Sequence, residues 1–239
     1  MGQHSAGRIS GVGVPLALCY RSRMWWCKLT AILFLLPLAS GAQPSNQETD
    51  LAAILKGTLY VAPHRETADG QLKACGLEFA AVGTDHSTKL GGMVRVVGSF
   101  YLRPHEKVGL AYMLKLGVVD GLPPGTRTAP ANAFVRAPDA NSSPTKPIRG
   151  PADRPEFALF VGEALDEAIL AVLRSITEGK TFVVGFNRAP GQQDVQLPID
   201  LTVVNSKMDG ARIVRERSDS AVQQFASCNS DLMKTITIR

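Results

Sequence analysis

From residue 57 onward the chain alternates apolar and polar positions in short runs that read as strands, and two later segments switch to helical spacing. A helical turn at residues 51–55 precedes a predicted strand at 57–61. Between 74 and 82 the alternation puts Cys75, Leu77, Phe79 and Ala81 on one face and Glu78 on the other. Residues 91–102 and 107–119 form two longer runs, joined by Arg103-Pro104-His105-Glu106, a connection short enough for a hairpin. In the first arm Val94, Val96, Phe100 and Leu102 alternate with Arg95, Val97, Ser99 and Tyr101. In the second, Val108, Leu110, Tyr112, Leu114 and Leu116 stand against Lys107, Gly109, Met113 and Lys115. Both arms have the pattern of half-buried strands in an antiparallel sheet.

Residues 157–161 predict a short strand, and after it Leu165, Ile169, Val172, Leu173 and Ile176 share one helical face. Glu163, Asp166 and Glu167 favour the start of that helix and Gly179 supplies its stop. Residues 180–186 and 195–204 again alternate, and Pro198, which lacks a ladder donor, assigns the second of these to a sheet edge or a bulge. Residues 205–217 are polar and basic, with Arg212, Arg215 and Arg217 close together, and are expected to be a solvated loop rather than an anion site. A last helix, capped by Ser218 or Ser220, carries Val222, Phe225, Ala226, Leu232 and Met233 on one side with Cys228 at its border. The expected fold is therefore α+β: an antiparallel sheet, curved or doubled into a sandwich, with two packed helices. Residues 120–156 break every period. They hold eight of the fifteen prolines, only residues 133–136 resemble a strand, and a long irregular loop is expected, either a binding flap or a loose insertion.

The front of the chain has a different character. Lys28 precedes an apolar run at 29–38 and then Ala39-Ser40-Gly41-Ala42, the layout of a secretory signal peptide with cleavage after Ala42. A run of about ten residues is well short of the roughly 20 a membrane span needs, so no transmembrane segment is expected after cleavage. Met24 would open a leader of ordinary length, with residues 1–23 an over-extended start. Residues 43–239 then make a single secreted domain, periplasmic or fully exported. The leader also changes the charge picture. The chain has 26 Lys+Arg and 21 Asp+Glu, but Arg8, Arg21, Arg23 and Lys28 lie in the leader with no acidic residue, leaving 22 against 21. A mature chain near neutrality has no electrostatic footprint for nucleic acid.

Two cysteines remain after processing, Cys75 and Cys228. In an oxidising compartment they are expected to pair with each other, pinning the last helix to the sheet. No C-x-x-C spacing points to redox chemistry.

The order helix, Gly-Lys, strand, Gly-turn, strand over residues 164–203, with Leu-Pro-Ile-Asp-Leu at 197–201, resembles the C-terminal half of secreted bacterial proteins of the invasion-associated locus B family. The additional cysteines of that family are missing here, and the resemblance implies a small envelope β-sandwich. Phe225-Ala226-Ser227-Cys228 is similar to the Phe-x-x-Cys helix that ends a broad group of uncharacterised exported proteobacterial proteins. Neither resemblance carries catalytic residues across.

Motifs of known chemistry fail for specific reasons. There is no G-x-S-x-G elbow, and Ser99 lies inside a predicted strand. His105-Glu106 begins an H-E-x-x-H, but Gly109 stands where the second histidine should be. No phosphate-cradling G-x-x-x-x-G-K occurs. His64, His86 and His105 each fall in a predicted turn near Glu66, Asp85 or Glu106. They would bind zinc or copper only by meeting in space, and solvated turn residues are the simpler reading. Asp85-His86-Ser87 has the residue types of a hydrolytic triad, yet adjacent residues rarely aim at one another. Tyr112, Phe182 and Phe186 suit an apolar ligand cleft or, more simply, the core. Asn141-Ser142-Ser143 is a sequon only for a eukaryotic secretory chain. No catalytic residue, metal site or cofactor is assigned. The expected function is that of a non-catalytic envelope protein binding a partner protein or small ligand, with a periplasmic hydrolase and a metal-binding accessory protein as alternatives.

Overall fold

The computed structural model describes residues 46–87, 91–121 and 125–237, so the leader and the expected cleavage site at Ala42 lie outside the described residues. Helix α1 (Asn46–Leu55) leads into strands β1 (Gly57–Ala68) and β2 (Gln71–Asp85). These two pair antiparallel around Asp69 and Gly70, whose φ angles of 54° and 71° are the left-handed pair a two-residue hairpin turn requires. Strands β3 (Gly92–His105) and β4 (Gly109–Asp120) make the expected second hairpin. Both hairpins run further than the alternation alone marked.

The proline-rich stretch contains strands. It supplies β5 (Arg127–Thr128), β6 (Asn132–Arg136) and β7 (Ile148–Gly150), followed by β8 (Ala158–Glu163). Helix α2 (Glu167–Arg174) continues into a π-helical turn, Ser175–Gly179. Next come β9 (Thr181–Asn187), β10 (Val195–Asp200), β11 (Val203–Asp209), β12 (Arg212–Arg217) and helix α3 (Ser220–Thr237). The strands form a seven-stranded sheet in the order β1-β2-β3-β4-β8-β7, with β5 beside β4, a three-stranded sheet β10-β9-β6 and a two-stranded hairpin β11-β12. All pairings are antiparallel, the sheets stay open, and the class is α+β. Among the described residues no helix is long and apolar enough to cross a membrane.

The core forms where the inner face of the long sheet is covered. Cys75, Leu77 and Phe79 of β2, Val96 and Phe100 of β3, and Leu114 and Leu116 of β4 are fully buried there. Strand β9 brings Phe182, Val184 and Phe186 against them, and the Phe182 ring meets Phe79 edge-on at 5.6 Å and Phe100 at 5.8 Å. Contact between the sheets is close enough to require a glycine: a Cβ on Gly83 would stand 2.7 Å from Cδ2 of Leu197. Pro198 lies in β10, an edge strand as its missing donor implied.

Several expectations are corrected. Leu165 is 58 % exposed because the helix begins after it, with Asp166 as N-cap accepting a 2.8 Å hydrogen bond from the Ala168 amide. The buried stripe of α2 and its π-helical turn is Ile169, Val172 and Ile176, while Leu173 is only half-buried. The left-handed residue that ends the helix is Lys180 (φ 53°), not Gly179. Residues 205–217 are mostly paired as β11 and β12 rather than looped, because each polar strand satisfies its backbone on the other. On α3 the buried positions are Ala221, Val222, Phe225, Cys228 and Leu232, whereas Ala226 and Met233 are exposed. Ser218 accepts from the Ser220 amide at its start.

Cys75 and Cys228 are bonded, with their Cα atoms 5.7 Å apart and a separation of 153 positions in sequence. Intact mass of the oxidised protein should show two hydrogens fewer than the reduced chain. Cys75→Ser, Cys228→Ser and the double variant should each lose a similar, non-additive stability, up to roughly 4 to 5 kcal/mol in the chain-entropy model. For the helix, Val172→Asp buries an unpaired charge and should cost about 3 kcal/mol or more in urea unfolding, and Leu165→Asp less than about 1 kcal/mol.

Candidate functional site

The later part of the proline-rich stretch helps to build a cleft among the described residues. After β6 the chain turns back, and Thr145 binds that strand's free edge: its amide donates to the Val135 carbonyl and its Oγ1 accepts from the Val135 amide, both at 3.0 Å. Thr145 also hydrogen-bonds the hydroxyl of Tyr112, which β4 directs to the inner face. The Tyr112 ring lies across Gly162 of β8, its register partner, where a Cβ would fall 2.4 Å from Cε1. Only glycine leaves room for the ring, so this contact fixes the floor of the cleft.

Above that floor is a cleft of about 660 Å³, walled on one side by loop residues 139–146 and on the other by Glu163, Asp166, Glu167, Ala168 and Ala171. Its lining includes four carboxylates, Asp139 on the loop wall with Lys146, and Glu163, Asp166 and Glu167 across from them. Two of the four have structural roles. Asp166 caps α2, and Asp139 accepts from the Asn141 amide at 3.1 Å while Arg136 grips its carbonyl at 3.0 Å. Burial pushes the Tyr112 hydroxyl up to about 12, against the opposing pull of its Thr145 hydrogen bond. The phenol is therefore a neutral floor at physiological pH.

The sequence-derived candidates disperse. His64 is on strand β1 rather than in a turn, 3.0 Å from Glu78. His105 closes β3, its Nδ1 accepting from the Lys107 amide at 3.2 Å. His86 follows the far end of β2, ten residues along that strand from Gly76, the partner of His64, a span of about 33 Å. Among the described residues no group of three His, Cys, Asp or Glu side chains is placed to hold a metal ion. Phe182 and Phe186 are fully buried core, and only Tyr112 borders a cleft.

Asp85 and Ser87 do meet, but in a turn. Asp85 Oδ1 accepts from the Ser87 amide at 2.8 Å and its hydroxyl at 2.5 Å, and Oδ2 accepts from Nε of Arg188 at 2.9 Å. Burial would raise the Asp85 carboxyl, but hydrogen bonds from Ser87 and Arg188 outweigh it and hold the group below the usual carboxylate range. Arg188 also clasps Asp120, tying the turn after β9 to the ends of β2 and β4. Two of the basic residues at 212–217 are likewise structural. Arg215 donates to the carbonyls of Leu55, Lys56 and Thr58 at 3.2, 2.7 and 2.8 Å, and Arg217 pairs with Asp200 at 2.7 Å.

The cleft is not visible in the sequence because its parts are distant in the chain and its wall follows no hydrophobic period. A tyrosine directly opposite a glycine on the next strand is the local signal that survives. Compared with protein-family models, curated proteins and solved structures, the chain matches none.

The Tyr112 phenol supplies a test of the floor. The folded state holds this proton to about 12 and the unfolded chain only to about 10, so its contribution is complete below pH 10 and is lost as pH rises through 12. The stability difference between wild type and Tyr112→Phe, followed by urea unfolding, should shift against wild type by on the order of 2 to 3 kcal/mol across that window.

Proposed function

We propose that the mature protein, residues 43–239, is a non-catalytic envelope protein, periplasmic or secreted, that binds a small ligand or partner protein in the cleft floored by Tyr112. The observation that carries this reading is the anchoring of the proline-rich loop: Thr145 holds it to both β6 and Tyr112, making it a fixed wall rather than a flap. Prearranged concave surfaces with a few convergent polar groups are what ligand sites have in common, because little ordering entropy remains to be lost on binding. The disulfide suits an oxidising compartment, and the signal-peptide pattern gives the route there. On this reading the long and short sheets serve as an open sandwich, the scaffold implied by the resemblance to exported envelope proteins.

A photoreactive residue placed at Ser142 on the cleft rim should give a discrete adduct in native envelopes, and one at Asp209 on the β11-β12 hairpin should not. Ala168→Trp, which fills the cleft from α2, should abolish the adduct without lowering the melting temperature, and replacing His64, His86 and His105 by Asn should leave it intact. Intact mass of the same preparation should place the first residue at Gln43. Equal labelling at both positions would sink the cleft assignment. Hydrolytic turnover lost with any one histidine would favour the hydrolase.

A further inference from the structure

The outer face of the long sheet carries two arginines that have no ion-pair partner among the described residues. Arg95 of β3 and Arg127 of β5 both pair with Val119 of β4, one from each side, so they share a cross-strand row and point to the same face. Their backbones are two strand spacings apart, about 10 Å, which two guanidinium side chains readily span. Arg127 does not extend away from the sheet. Its stem lies across Gly117, where a Cβ would fall 2.6 Å from Cδ, and its guanidinium stacks 4.7 Å from the centroid of Phe157. The side chain is thus held by a glycine gap and an aromatic face, and its Nε is buried without a hydrogen bond among the described residues.

Beyond the Phe157 ring, neither guanidinium has an ion-pair or hydrogen-bond partner among the described residues. Of the neighbouring charges, Lys115 pairs with Asp153 at 2.6 Å, and Glu78 lies 3.0 Å from the His64 ring, which balances its charge only when protonated. Between Arg127 and strand β1 the row Gly117, Val97 and Ala80 carries only small side chains over about 14 Å, with Tyr60 at its far end. Burial and the Glu78 carboxylate push the Tyr60 hydroxyl up, and the charges of Arg127 and Arg95 pull it down, so both arginines lie within electrostatic reach of the phenol. Two like charges with no counter-charge between them repel, and an anion placed between them removes that repulsion while accepting charge-assisted hydrogen bonds.

We propose that Arg95, Arg127 and the Tyr60 hydroxyl form a binding site for an oxyanion, a carboxylate or phosphate group, on the outer face of the sheet. The planar guanidiniums supply forked donors that match such groups, and the phenol supplies a third donor from the opposite side. This site is separate from the cleft at Tyr112 and does not depend on it.

The test uses the mature protein, titrated at constant ionic strength with orthophosphate and, in a separate arm, with citrate, while arginine side-chain N–H signals are followed by NMR. Saturable shifts of Arg95 and Arg127 with either anion are expected, and the arm that saturates identifies the group recognised. Arg95→Gln and Arg127→Gln should each weaken binding about tenfold or more, Tyr60→Phe by less, and Lys115→Gln by under twofold. Should Arg127→Gln fail to fold, Arg95→Gln and Tyr60→Phe carry the test, with melting temperatures confirming an intact fold. Linear, unsaturable shifts with both anions, or binding unchanged in folded Arg95→Gln, would overturn the proposal.

Discussion

The ring of Phe100 is where the structure is held together. It lies at the middle of β3 and meets Phe182 of the short sheet at 5.8 Å, Tyr112 of the neighbouring strand at 6.2 Å and Phe225 of the last helix at 6.3 Å. A long antiparallel sheet with one apolar face must have that face covered, and here a second sheet covers one part and a helix another. Phe100 touches both covers. The cleft depends on the same contact at one remove, since Tyr112 is at once a core neighbour of Phe100 and the floor on which the proline-rich loop rests.

The central strands of the long sheet, β2, β3 and β4, were legible because burial on one face imposes a period of two, and Phe79, Phe100 and Leu114 all fall where that period puts them. The disulfide was legible for a related reason, as Cys75 belongs to the inward set and Cys228 is the one other cysteine beyond the expected leader. Where burial did not set the period, the reading failed. Strands β11 and β12 expose most of their side chains and carry no apolar rhythm, so they passed for a loop. Strands β5 and β7 are 2 and 3 residues long and exist only because β4 and β8 offer them edges, a non-local cause that no window can register. The cleft shares that limit: Tyr112 read as core, which it is, while Thr145 became meaningful only through Val135.

Arginine shows the same division between composition and placement. The near-neutral charge of residues 43–239 spoke against a polyanion footprint but said nothing about where charge is compensated. Arg188 is closed between Asp85 and Asp120, Arg215 ties the hairpin β11-β12 to the end of α1 through backbone carbonyls, and Arg217 is matched by Asp200. Arg127 is held by the gap at Gly117 and the ring of Phe157, and among the described residues neither it nor Arg95 has an ion-pair partner. Residues of one type thus divide between staples and open donors according to partners that lie far away in the chain.

Pro198 has a consequence for the molecule among its own copies. Strand β10 is a free edge of the short sheet, alternating Val195, Leu197 and Ile199 in the manner of a segment that recruits another strand. With proline at its centre, that edge cannot present an uninterrupted row of amide donors, so a second chain docking there would find its ladder broken midway. In a crowded compartment this acts as a gatekeeper against fibrillar stacking, built into the strand whose apolar face the core requires.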